Sequence, residues 1–181
     1  MSRLIVLNGP PGCGKSTLGA MYAARHPLVL NLDIDQVRAL IGGWRDDLHN
    51  AGILARAISL AAARAHLSAG HDVIVPQFLG RPQFLVALEE LARECGAGFT
   101  ELVLLDSRDN VRRRFTSRSA DPAQPRIQDD TSPAELAQMY DRLLALLPSR
   151  PAAVIVPVAD GQVNQAYQDV LRALAAAGSS A

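Results

Sequence analysis

The chain has 181 residues, 49% hydrophobic and 20% charged, with 18 basic and 18 acidic side chains. This describes one globular domain with enough apolar side chains for a sizeable core, and zero formal net charge excludes a whole-domain electrostatic surface for nucleic acid or anionic membrane. No apolar stretch approaches the roughly 20 residues of a membrane span, no basic start leads into a signal-peptide core, and Cys13 and Cys95 make no disulfide framework, so a soluble, cytoplasmic protein of a reducing compartment is expected.

Leu4-Ile5-Val6-Leu7 is a continuous aliphatic run, the pattern of a strand covered on both faces. The glycines between Gly9 and Gly14 break it, and Lys15 to Arg25 reads as a helix. Leu28 to Leu32 is a second strand ending in Asp33-Ile34-Asp35, and a short helix to Ile41 stops at Gly42-Gly43. Ala51 to Ala69 carries leucine and isoleucine at helical spacing among alanines and closes at Gly70. Asp72 to Val75 is a third strand, Arg81 to Cys95 a helix, Glu101 to Leu105 a fourth strand, and Ser107 to about Ser117 a strongly basic helix. Residues 119–132 lack apolar periodicity and read as a loop. Pro133 suits the first turn of the helix that follows, to Leu147. Ala153 to Val158 is a fifth strand and Gln162 to Ala177 the closing helix, ahead of a frayed, disordered tail at about 178–181.

Five buried-type strands separated by helices predict right-handed βαβ units: a single α/β domain over 1–181, with a five-stranded parallel sheet and helices on both faces. Only the loop at about 118–132 is long enough for a lid.

Gly9-Pro10-Pro11-Gly12-Cys13-Gly14-Lys15-Ser16 fits G-x-x-x-x-G-K-[ST], between a strand and a helix. Glycines let successive N–H groups turn inward as a nest for phosphate oxygens, and the helix start adds its positive end. In this pattern Lys15 reaches the β- and γ-phosphates, Ser16 ligates Mg2+, and Thr17 bonds the α-phosphate. Nucleoside triphosphate binding follows. Asp33 and Asp35 stand at the carboxyl edge of the second strand, where parallel sheets bind ligands. Alternate residues of an extended segment point the same way, so both carboxylates are expected to face one cleft. One would hold Mg2+ and the other would orient an acceptor hydroxyl and take its proton. Alternatively, one of them, Asp35 above all, caps the next helix.

The cradle, helix, strand and Asp33-x-Asp35, taken together, resemble the shikimate kinase and chloramphenicol phosphotransferase branch of the P-loop kinases. The resemblance implies the three-layer α/β/α P-loop NTPase fold, Asp33 on the metal side and Asp35 as the acceptor-side base. It also exposes a departure: many relatives end the third strand with an aspartate that supports Mg2+, whereas here Val73-Ile74-Val75 runs into Pro76-Gln77. The load shifts to Asp33, with Gln77 available to a substrate or a metal-bound water. Arg81 resembles the arginine that nucleotide kinases place after this strand to hold the acceptor; a solvated arginine at a helix start is the other reading.

Arg108, Arg112, Arg113, Arg114 and Arg118 gather charge after the fourth strand, and Arg114 and Arg118 share a helix face. The segment is similar to the lid entry of adenylate-kinase-like enzymes, which implies Arg114 as the base-stacking residue and Arg118 as the phosphate clamp. Arg126 would return to the triphosphate when the lid closes. The alternative is a solvated face with Asp106, Asp109 and Asp129 as surface partners. Asp160-Gly161 follows the last strand where related kinases pass under adenine, or is an ordinary turn. Trp44 lies where related kinases wall the acceptor pocket, as a platform or as a packed tryptophan over the helices. The four histidines show no ligand spacing.

The expected activity is ATP- and Mg-dependent transfer of the γ-phosphoryl group to a hydroxyl of a small molecule, an antibiotic or another metabolite. A nucleoside, nucleotide or nucleic-acid-end kinase, or a non-kinase ATP-binding switch, is the alternative. No long nucleic acid and no membrane is expected as a partner, and the oligomeric state stays open.

Overall fold

Leu4 to Leu7 lie at the centre of the molecule because each of their side chains meets apolar neighbours on one face of the sheet or the other. They belong to strand β1 (Arg3–Asn8), and the pleat divides alternate residues between two cores. Leu4 and Val6 face Ile34, Leu67, Val73, Val75, Leu85 and Leu88; Ile5 and Leu7 face Leu18, Tyr22, Leu102, Leu104, Val170 and Leu174.

The computed structural model describes residues 1–119 and 131–178, without the side chains of 117–119. After β1 come α1 (Lys15–Arg25), β2 (Leu30–Asn31), α2 (Ile34–Ala39), α3 (Leu48–Ser68), β3 (Val73–Pro76), α4 (Pro82–Glu94), β4 (Gly98–Leu105) and α5 (Arg108–Ser119). Then follow α6 (Pro133–Leu146), a 3-10 turn (Leu147–Ser149), β5 (Val154–Pro157) and α7 (Val163–Gly178). The sheet order is β2-β3-β1-β4-β5 and every pairing is parallel. Helices α1 and α7 cover one face; α2, α3 and α4, with Leu146 of α6, cover the other. This is the three-layer α/β/α architecture expected. No helix among the described residues is long and apolar enough to cross a membrane.

Two strands are less buried than their composition implies. The chain pairs as β2 only at Leu30 and Asn31, because Leu28 turns the backbone at φ 64°, in the left-handed region, and cannot continue a strand. At β5, on the sheet's edge, only Val156 is buried; aliphatic composition alone does not separate an edge from a centre. Helix α3 starts at Leu48, ahead of the alanine-rich run, since Asp47 caps it by accepting from Asn50 N at 3.1 Å. β4 starts at Gly98 because its register follows β1 over its full length. Ser132 opens α6 through a capping box with Glu135. Helix α7 reaches Gly178, which was expected in the tail; 179–181 and residues 120–130 of the expected lid lie outside the described residues.

Candidate active site

The loop after β1 lies at the carboxyl edge between the ends of β3 and β4. Gln77 N donates to Leu7 O at 3.1 Å on one side. On the other, a Cβ on Gly9 would stand 2.6 Å from Leu104 O, so only glycine fits, at a φ of 146°. Helix α1 starts with Gly14 as N-cap and no side-chain cap, and its first helical bond is Leu18 N to Gly14 O at 2.9 Å. The amides of Gly14, Lys15, Ser16 and Thr17 precede that bond: they are the four open donors of a helix start, at the positive end of its dipole. The first half of the motif contributes shape instead. Pro10 and Pro11 have no N–H, Gly9 N donates to Asn8 Oδ1 at 2.8 Å, and Cys13 N faces Pro10 O at 3.4 Å. Gly12 rests against Val111 and Phe115 of α5. Lys15 is buried, its ammonium held over the loop by Pro10 O at 2.9 Å and Cys13 Sγ at 3.9 Å. A half-ring of open donors around a buried ammonium fits a polyphosphate.

Asp33, not Asp35, is the cap. Its Oδ1 accepts from Asp35 N at 3.0 Å, and its Oδ2 accepts from the Ser16 hydroxyl at 3.1 Å. The acid and the hydroxyl expected around the metal therefore touch. They meet although β3 separates β2 from β1: α1 lies close enough to β2 and β3 that a Cβ on Gly19 would stand 3.0 Å from Asn31 Oδ1 and 3.1 Å from Pro76. Strand alternation is not what joins the two acids, as Asp35 already lies in the first turn of α2 and the cap sets their relation. Among the described residues no cluster of three or more His, Cys, Asp or Glu side chains forms a metal cage. One hydroxyl with one adjacent carboxylate suits Mg2+, which takes its other ligands from phosphate and water.

Asp35 is half-buried, with Oδ1 3.6 Å from Arg38 Nη2. Burial pushes its carboxyl above the ordinary value; Arg38 pulls it back, Asp33 pushes it up, and Lys15 and a hydrogen bond from Gln77 pull it down. Lys15 thus lies near enough to Asp35 to favour its charged form. Arg38 is a side chain at this site that the sequence reading missed. It packs against Gly52 of α3, and its Nε, like Gln77 Oε1, is buried without a hydrogen-bond partner among the described residues. The available signal was its i, i+3 spacing from Asp35 in a short helix.

The remaining expected residues divide. Gln77, at the end of β3, reaches Asp35. Arg81 is exposed as the N-cap residue of α4, without a side-chain cap bond. Trp44 is half-buried between α2 and α3, with the Arg45 guanidinium 4.1 Å from its ring centroid. Thr17, Asp160 and Gly161 are exposed. Arg114 does not stand out as a stacking platform: it is buried, its Nη2 2.6 Å from Asp106 Oδ2. Asp106 is equally buried and not a surface partner; it also accepts from Asn110 Nδ2 at 2.8 Å, while its carbonyl accepts from the Tyr140 hydroxyl at 2.9 Å. Arg108, Arg112 and Arg113 face outward. The side chain of Arg118 and all of Arg126 lie outside the described residues.

Residues 4–146 match the model of a family described as an AAA domain. No curated protein matches the chain. Among solved structures it is similar to a protein of Chloroflexus aurantiacus with a provisional kinase assignment, at 23% identity and a TM-score of 0.72, covering 95% of this chain and 98% of that one. A gluconokinase of Sinorhizobium meliloti 1021 matches at 20% identity and a TM-score of 0.63, over 96% of this chain and 91% of that one. The APS kinase of Mycobacterium tuberculosis matches at 15% identity and a TM-score of 0.55, over 96% and 97%. At these identities the likeness is one of fold. It runs the length of the chain and agrees with the P-loop kinase architecture expected from the cradle and the acid pair.

Proposed function

The chain belongs to the AAA domain family, and from that premise we propose that it is a phosphotransferase moving the γ-phosphoryl group of ATP to a hydroxyl of a small molecule. The observation that carries this is the junction of the two halves of the site: Ser16 bonds Asp33, Asp33 caps the turn that holds Asp35, and Lys15 acts on Asp35. A cradle built only to hold nucleotide has no need of a half-buried carboxylate within reach of its lysine's charge.

The open amides from Gly14 to Thr17 and the Lys15 ammonium bind the phosphates and stabilise charge spreading over the transferring group. Ser16, with Asp33 behind it, would hold Mg2+, which supplies charge neutralisation on the phosphate oxygens when bound. Asp35, ionised, orients the acceptor hydroxyl and takes its proton as oxygen attacks; its raised pKa makes it a stronger base than a surface carboxylate. Gln77 holds Asp35 and can meet the acceptor, and Arg81 and Trp44 are assigned to the rim of the acceptor pocket. By resemblance to related kinases, Arg118 and Arg126 neutralise the leaving phosphates, and Asp160-Gly161 passes near the base. An antibiotic or metabolite hydroxyl is the acceptor this reading favours.

The test is an ATP-consumption screen against hydroxylated metabolites, antibiotics and nucleosides, with Lys15→Ala as the control and mass spectrometry of each compound. At least one compound should raise turnover above the background ATPase rate and gain one phosphoryl group. Slow turnover indifferent to every alcohol would favour a nucleotide-binding switch instead.

A further inference from the structure

We infer that Asn8 is a positioning residue for the phosphate cradle, held in its orientation by the buried carboxylate of Glu101 and joining the donor half of the site to the acceptor half. The inference rests on reading residues 9–17 as the ATP cradle. Asn8 is fully buried, and its side chain uses its whole hydrogen-bonding capacity. Oδ1 accepts from Gly9 N at 2.8 Å and Leu79 N at 2.9 Å; Nδ2 donates to Leu79 O at 3.0 Å and Glu101 Oε1 at 3.2 Å. Two N–H groups at one end and two acceptors at the other leave the amide a single orientation.

Each partner leads to the chemistry. Gly9 opens the cradle, and the next carbonyl, Pro10 O, holds the Lys15 ammonium. Leu79 follows Gln77 by two residues, and Gln77 bonds Asp35. One side chain therefore sets the start of the ATP loop and the loop behind the general base.

Glu101 is the unexpected partner. It stands in the middle of β4, opposite Val6 of the central strand and 3% exposed, just ahead of the aliphatic residues Leu102 to Leu105. Its second oxygen accepts from Arg150 Nε at 2.9 Å, and Arg150 Nη1 pairs with Glu89 at 2.8 Å. A buried ion pair is seldom more stabilising than apolar side chains of the same volume, so packing alone does not call for a glutamate here. What an aliphatic residue could not supply is an acceptor for Asn8 Nδ2.

The test measures Mg·ATP affinity by calorimetry, thermal stability, and amide hydrogen exchange at Gly9 and Leu79, in the wild type and four variants. Asn8→Ala should weaken Mg·ATP binding about tenfold, the scale of leaving buried amides without acceptors, with exchange accelerated at Gly9 and Leu79. Asn8→Asp, nearly isosteric, should also bind weakly because two carboxylates then face each other. Adding Glu101→Gln to Asn8→Asp should restore part of the affinity, since the introduced amide donates to the introduced carboxylate while Leu79 O stays without its donor. Leu91→Ala, in the core beneath α4, should lose stability and keep its affinity. The inference is overturned if folded Asn8→Ala binds like wild type, if Glu101→Gln rescues nothing, or if Leu91→Ala loses affinity in step with its stability. If Asn8→Ala does not fold, the isosteric pair decides. A wild type that fails to bind Mg·ATP would instead refute the ATP-cradle reading beneath the inference.

Discussion

Asp35 sits in a balance of opposed influences, and its sign is measurable. Burial outweighs Arg38, Lys15 and Gln77, so the folded chain binds this proton more readily than the unfolded one. Stability contributed at Asp35 is then present below the ordinary carboxylate pKa and lost as pH rises through the raised one. Asp35→Asn should accordingly raise the thermal midpoint at pH 7, with the gain fading on acidification below the carboxylate range; a lower midpoint at pH 7 would contradict the balance. Arg38→Leu removes the largest influence holding the pKa down, so an NMR titration of the Asp35 carboxyl should move to higher pH. No shift, or a downward one, would mean that Arg38 is too distant to matter. The acid pair itself was legible in the sequence because both carboxylates sit at a strand end. Their division of labour was not: which of two acids caps a helix depends on where the strand lets go, and β2 ends at Asn31, which leaves Asp33 in the N-cap position of α2.

At the scale of elements, α5 illustrates how a run of arginines misleads. The spacing marks Arg114 and Arg118 as neighbours on a helix, but it cannot say that Asp106, just after β4, is buried against Arg114. Removing Asp106 takes from the buried Arg114 guanidinium the carboxylate 2.6 Å away, and breaking a buried ion pair is destabilising. Urea denaturation should therefore find Asp106→Ala destabilised by about 3 kcal/mol. Arg112→Ala, whose pair with Asp109 is exposed, should change stability by no more than about 0.5 kcal/mol. Equal effects would contradict the separation of inner and outer arginines. At α6, Ser132→Ala should cost about 1 kcal/mol through loss of the capping box, read by the same method. That helix start was legible, since the proline at its first turn is a local signal. The opening of α3 was missed because its cap, Asp47, precedes a stretch without apolar periodicity.

For the whole molecule, alternating strands and helices sufficed for the layers, and the glycine-lysine-serine motif for the strand–loop–helix junction proposed to hold phosphate. Strand order is another matter. Nothing in the local pattern says that β3 inserts between β1 and β2, and the meeting of Ser16 with Asp33 depends on α1 bridging that insertion. Nor could composition tell the exposed β5 from the central strands, or explain a glutamate in the middle of β4. Those features follow from tertiary neighbours.

The central claim is that the half-buried aspartate beside the cradle serves transfer and not nucleotide binding. The most direct measurement compares wild type, Asp35→Asn and Lys15→Ala for Mg·ATP affinity and for single-turnover phosphoryl transfer to the compound that stimulates ATP consumption most. The account predicts that Asp35→Asn keeps its Mg·ATP affinity while transfer falls at least ~100-fold, and that Lys15→Ala loses both. Equal transfer by Asp35→Asn and wild type, or phosphate released only to water in both, would contradict it.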